Sequence, residues 1–182
     1  MATFGYDGAA DGSEAYATDR KQGTIFTLTE QGQITKITAR AGNWVNVVNA
    51  KGIIYNVSAG DPSGLEITTA ETQIPAGSPN DWKDFTGGDL PVTLSAGDYM
   101  IGLIAEVAAA NWTFRRDADA GFNINGNVDD YTDGPADPFG LPGTVANKRF
   151  CVYATYTPVG AGVSIPVAMH HYGHHIGKII RG

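Results

Sequence analysis

Apolar and polar residues alternate with a period of two through most of this chain, the period of a half-buried β-strand and not of a helix. Ile25, Phe26 and Leu28 fall in residues 24–29, and Ile34 and Ile37 in residues 33–40. Two strands are predicted there, joined through Glu30-Gln31-Gly32 by a hairpin or a short crossover. Another run holds Trp44, Val45, Val47 and Val48, and after Asn49-Ala50-Lys51-Gly52 it resumes with Ile53, Ile54, Tyr55 and Val57, which reads as a second hairpin-like pair. Asp61-Pro62-Ser63-Gly64 has the turn chemistry to stop it. Residues 66–74 are a Thr-rich strand candidate, a loop passes through Pro75 and Pro79, and Trp82 and Phe85 mark one more short strand.

The clearest alternation lies in residues 90–107. Leu90, Val92 and Leu94 precede Ser95-Ala96-Gly97-Asp98, and Tyr99, Ile101, Leu103 and Ala105 follow, so a β-hairpin leading into a central strand is expected. Residues 105–110 are Ala-rich and compatible with a helical turn, before Trp112 and Phe114 restore alternation. From 117 to 143 the pattern gives way to Asp, Asn, Gly and Pro, with Phe122, Ile124, Val128, Tyr131, Phe139 and Leu141 as apolar anchors. That composition predicts a long structured loop or lid packed on the body. Phe150, Val152, Ala154 and Tyr156 then alternate up to Pro158 and close the sheet.

The result is an all-β reading: about eight to ten short strands in a jelly-roll-like antiparallel β-sandwich, with a long Asp/Asn/Gly-rich loop and an extended C-terminal arm. Residues 1–23 form an N-terminal segment, 24–157 the sandwich and 158–182 the arm. The 24 Gly and 9 Pro are dispersed along the 182 residues, as short strands and many turns require. No stretch is long and apolar enough to span a bilayer, and no basic leader followed by an apolar run opens the chain, which points to a soluble protein outside the classical secretory route.

Charge changes the picture in one respect. The net charge is −7, yet all 19 acidic residues lie within residues 1–137, and residues 138–182 carry bases only. Phosphate is repelled by such a body, so nucleic acid is not an expected partner. A cationic arm docking on an acidic neighbouring copy is.

Phe26 in the first strand, Ile34-Thr35-Lys36-Ile37 in the second, Trp82 and Phe85, then Val92-Thr93-Leu94-Ser95-Ala96-Gly97-Asp98-Tyr99, in that order, resemble a widespread class of jelly-roll domains. These occur as carbohydrate-binding-like modules of extracellular enzymes and as bacteriophage virion proteins. The resemblance covers residues 20–157. It implies a non-enzymatic virion structural protein, a capsid decoration or tail-associated component assembled in the host cytoplasm, partnered by other virion proteins and by copies of itself. The alternative it implies is a carbohydrate-binding or adhesion module directed at a cell-surface glycan.

Candidate chemistry is sparse. His170, His171, His174 and His175 cluster around Tyr172-Gly173, a spacing that could ligate a transition metal on a helical turn, but Gly173 and Gly177 weaken a helix and no acid follows Asp137 to complete a site, so stacking and hydrogen bonding at an interface is the reading preferred. The same arm alternates Gly with Val163, Ile165, Val167, Met169, Ile176, Ile179 and Ile180; with Tyr172, these are the expected partner-binding residues, laid as an added strand on a neighbour's sheet edge. Asp117, Asp119, Asp129, Asp130, Asp133 and Asp137, with Asn123, Asn125 and Asn127, offer oxygen ligands for calcium but match no EF-hand spacing, so solvated turns are the competing reading. Trp44, Trp112 and Tyr131 are the glycan-stacking candidates, and Trp82 and Phe139 share their ambiguity with core anchoring. Cys151 is alone, cannot form an intrachain disulfide, and sits in an alternating run as a small core residue. No phosphate loop or nucleophile elbow is present and no His precedes residue 170. No enzymatic activity and no cofactor are expected.

Overall fold

The computed structural model describes residues 1–15, 20–42, 47–106 and 113–160. Thirteen strands occur among them, and no helix. Along the chain they are β1 (Ala2–Gly5), β2 (Gly12–Ala15), β3 (Arg20–Leu28), β4 (Gly32–Gly42), β5 (Val48–Ser58), β6 (Asp61–Thr68) and β7 (Thr72–Ile74). Then come β8 (Asp81–Phe85), β9 (Val92–Leu94), β10 (Gly97–Ala105), β11 (Thr113–Val128), β12 (Gly143–Phe150) and β13 (Val152–Pro158). Every pairing is antiparallel, and the strands form two sheets packed face to face, a β-sandwich.

One sheet runs β1, β13, β4, with β8 and β9 end to end along the far edge of β4. The other runs β6, β5, β10, β3 and the second half of β11, with β7 continuing the β6 edge. Strand β11 joins the two. Its first residues pair with Gly42 and Ala41 of β4, and its last five pair with residues 20–24 of β3. A register irregularity between Ala118 and Asn123 lets the strand bend from one sheet to the other.

Between the sheets lies the main core, with Leu28, Ile34, Ile37, Ile54, Phe85, Ile101, Leu103, Phe114 and Phe150 sealed from solvent. Each such side chain contributes roughly 1.5–3 kcal/mol of burial. Ile34 and Ile37 both point inward although three residues apart. An irregularity against Tyr156 and Thr155 of β13 takes Thr35 out of register and resets the alternation.

Strand β10 is buried on both faces, which explains its nearly unbroken apolar run. Tyr99, Ile101, Leu103 and Ala105 enter the main core, while Met100 and Ile104 join Ile53, Tyr55, Tyr131 and Phe139 in a second cluster on the outer side of the sheet. The segment between β11 and β12 supplies that second cover. It crosses β5, β10 and β3 as a strap, tied by Phe139 N–H to the Ser63 carbonyl at 2.8 Å and by the Asn127 amide to the Phe139 carbonyl at 2.7 Å.

Several expectations are corrected by these pairings. The N-terminal segment is part of the sandwich, since β1 pairs β13, β2 pairs β11, and β3 begins at Arg20. Of the two expected forms of residues 30–32, the short crossover is the one present, because β3 and β4 belong to different sheets. Residues 49–52 do not turn: they lie inside β5, where a Cβ added at Gly52 would come within 3.1 Å of the Ile37, Phe85 and Thr69 side chains. The turn ending β5 is Ala59-Gly60, both at positive φ (53° and 91°) as a two-residue hairpin loop needs, and Asp61 to Gly64 already belong to β6. Strands β9 and β10 are no hairpin, because β9 pairs with β4 and β10 with β3 and β5. Much of the expected loop at 117–143 is strand, the ladder of β11 and β12 running through its Asn and Gly residues.

Candidate functional site

Three strands of the first sheet carry a set of outward side chains. Register places Asp84 of β8 opposite Thr38 of β4, and Thr38 opposite Tyr153 of β13. The neighbouring Trp82 leans over so that its ring meets Tyr153 edge to face, centroids 5.3 Å apart and planes at 61°. The Asp84 carboxylate accepts from the Lys36 ammonium at 3.0 Å and from the Thr38 hydroxyl at 2.8 Å. Residues 72–75, at and just after β7, form the opposite wall; the Ser78 backbone N–H and hydroxyl both donate to the Pro75 carbonyl and brace the connection to β8. The groove so bounded has a volume of about 490 Å³, open on one side. It offers an aromatic edge and face beside an ammonium, a carboxylate and hydroxyls. Among the described residues, Asp84 is the carboxylate that lines it.

The strap on the other sheet is built around a buried charge. Lys21 is 1% exposed, its ammonium 2.9 Å from the Asp129 carboxylate and 3.0 Å from the Ala136 carbonyl. The rings of Phe139 and Tyr55 flank it at 4.8 and 5.2 Å. The Tyr55 hydroxyl donates to the Ala136 carbonyl at 2.7 Å, and burial, together with the Asp129 and Asp137 charges, raises its pKa far above the ordinary range. Lys21, Tyr55, Asp129 and Phe139 are all buried. This cluster fastens the strap.

Among the sequence-derived candidates, Trp44, Trp112, the four His and the arm residues Val163, Ile165, Val167, Met169, Tyr172, Ile176, Ile179 and Ile180 lie outside the described residues. Tyr131 is not a stacking platform: it is 5% exposed, its hydroxyl donates to Glu71 at 2.9 Å, and the Lys51 ammonium stands 4.8 Å over its ring. The acidic residues of 117–137 do not converge either. Asp129 serves Lys21, Asp117 and Asp119 bridge to Arg149, Asp130 binds the backbone and hydroxyl of Thr132, and Asp137 accepts from the Leu65 N–H. The Tyr6 hydroxyl first, and Arg149 after it, hold the Asp117 carboxyl below the usual carboxylate range. No group of three metal-ligating side chains occurs among the described residues.

Cys151 is fully buried, yet it stands apart from the inter-sheet core because its neighbours Phe150 and Val152 take the inward positions. Burial pushes its thiol up to about 11, against the lowering influence of Arg40. The folded pKa exceeds the ordinary thiol value, so the stabilising contribution is complete below about pH 9 and fades as pH rises toward 11. Ellman's reagent at pH 8 is expected to leave the native thiol unmodified and to titrate one thiol per chain in denaturant; rapid labelling of the native protein would contradict the buried, protonated state.

The groove residues Trp82 and Tyr153 were readable as strand residues, but nothing in their local sequence said that β8 and β13 flank the same strand. Fold and groove together define a β-sandwich with an aromatic-lined groove on the outer face of its first sheet. Comparison of the chain with family models, with curated proteins and with solved structures finds no match.

Proposed function

We propose that this chain is a non-catalytic recognition domain that binds a saccharide in the groove of its first sheet. The edge-to-face Trp82–Tyr153 pair beside the Lys36–Asp84–Thr38 network carries this reading. A sugar ring has an apolar face that stacks on an aromatic and a rim of hydroxyls that needs fixed donors and acceptors, and the groove presents both. Wild-type protein on a glycan array is expected to retain a defined set of sugars. Trp82→Ala is expected to weaken that binding at least about tenfold, because losing an aromatic platform removes roughly 1.5–3 kcal/mol of burial, with an unchanged melting temperature as the control. Silence of the wild-type protein on the array, or an indifferent alanine variant, overturns the reading.

A second reading is favoured by the charge distribution: a virion structural protein, decoration or tail component, acting through repeated contacts with its own copies and other virion proteins. Residues 138–182 carry bases only, while the rest of the chain holds all 19 acids, a polarity suited to head-to-tail attraction between copies. Deleting residues 159–182 is expected to leave a folded domain that no longer assembles, as read by sedimentation velocity; unchanged assembly of the truncated chain removes this reading.

A further inference from the structure

The outer face of the first sheet continues past the aromatic pair. Trp82 is the register partner of Arg40. The Arg40 N–H donates to the Cys151 carbonyl at 2.9 Å, and the Cys151 N–H donates to the Arg115 carbonyl at 2.9 Å. Trp82, Arg40, Cys151 and Arg115 therefore form one row across β8, β4, the β12–β13 junction and β11. Residues directly opposite on neighbouring strands project to the same face, and the inward Phe150 and Val152 turn position 151 to the outer one. Arg40 and Arg115 thereby stand on either side of Cys151 in this row, beyond Trp82.

Other arginines nearby are spoken for. Arg116 faces Asp11, and Arg149 bridges Asp117 and Asp119. Arg40 and Arg115 have no ion-pair partner among the described residues, and the Arg115 Nε is buried without an acceptor. A buried guanidinium N–H has no alternative role, since arginine only donates and does not lose its proton. On a chain of net charge −7 this is a local surplus of positive charge, set at the end of an aromatic groove.

We infer that the saccharide taken by this groove is an acidic one, its ring against Trp82 and Tyr153 and its anionic group, a carboxylate or a sulfate, held by Arg40 and Arg115. The inference rests on the saccharide reading above. Guanidinium forks match such oxyanions in a bidentate geometry. The acidic remainder of the surface opposes a dense polyanion, so the fit is to a sugar bearing isolated charges.

The test is a glycan array that holds each acidic glycan beside its carboxyl-reduced or desulfated counterpart, probed with the full chain, with Arg40→Gln/Arg115→Gln, and with Arg40→Lys. The glycans retained are expected to be acidic, with at least about a tenfold weaker signal on their neutralised counterparts. The double glutamine variant should lose that preference, Arg40→Lys should keep part of it, and salt at about 0.5 M should weaken it. Whether the uronates or the sulfates respond identifies the anion. Retention of neutral glycans as strong as their acidic counterparts, still sensitive to Trp82→Ala, overturns this inference and leaves the saccharide reading standing, whereas an array with no bound glycan overturns both. Should the variants fail to fold, the wild-type comparison of acidic against neutralised glycans decides alone.

Discussion

Asp129→Ala is expected to destabilise the domain by about 3–5 kcal/mol, the cost typical of stranding one member of a buried ion pair. The Lys21 and Asp129 side chains are 1% and 7% exposed at 2.9 Å separation, so water cannot replace the lost carboxylate without prising off the strap. The Ala136 N–H, which donates to the same carboxylate at 2.7 Å, loses its acceptor as well. Two measurements check this. Urea unfolding should show the loss in midpoint, and limited proteolysis in native buffer should cut between residues 130 and 138 in the variant before the sandwich opens. Lys21→Met combined with Asp129→Leu removes both charges and should recover most of the stability, since apolar replacements of buried pairs are often neutral or better. A midpoint for Asp129→Ala within about 1 kcal/mol of wild type would show that the strap is held by its aromatic contacts and not by the ion pair.

Gly102→Ala is expected to cost about 3 kcal/mol or more, at the upper end of overpacking effects, because the obstacle is backbone. Gly102 of β10 is the register partner of Gly23 on β3, and a Cβ at Gly102 would lie 2.6 Å from the Gly23 Cα, against the Gln22 carbonyl as well. No rotamer relieves such a contact. Strands β3 and β10 are the centre of the second sheet, so the variant should express poorly or melt well below wild type by differential scanning calorimetry. Gly60→Ala offers the contrast: its turn position has nothing within 4 Å, and only its positive φ resists the substitution, so a loss of about 1–2 kcal/mol is expected there.

Both variants act where two parts of the chain meet that are far apart in sequence, and this is where sequence reading thinned out. The inward sets Phe26 and Leu28, or Ile101 and Leu103, were legible because a period of two survives any tertiary arrangement that buries one face. The strap's anchors Tyr131 and Phe139 were legible as apolar residues in a polar stretch. Lys21 was not legible: a lysine near a strand start reads as solvated, and only the strap arriving from more than a hundred residues away desolvates it. Asn49–Gly52 misled for the opposite reason, since their turn propensity is real but yields to the packing of Gly52 against Phe85 and Ile37.

The sequence by itself determined that this chain builds β-strands, that they pack as a sandwich, and which residues of most strands face inward, because side-chain alternation is a local property of extended backbone. Tertiary structure alone decided which strands are neighbours: that β9 and β10 part to opposite sheets, that β11 spans both, and that Trp82, Tyr153, Arg40 and Arg115 share one face. Strand pairing is set by long-range burial and hydrogen-bond register, and no local pattern encodes the partner.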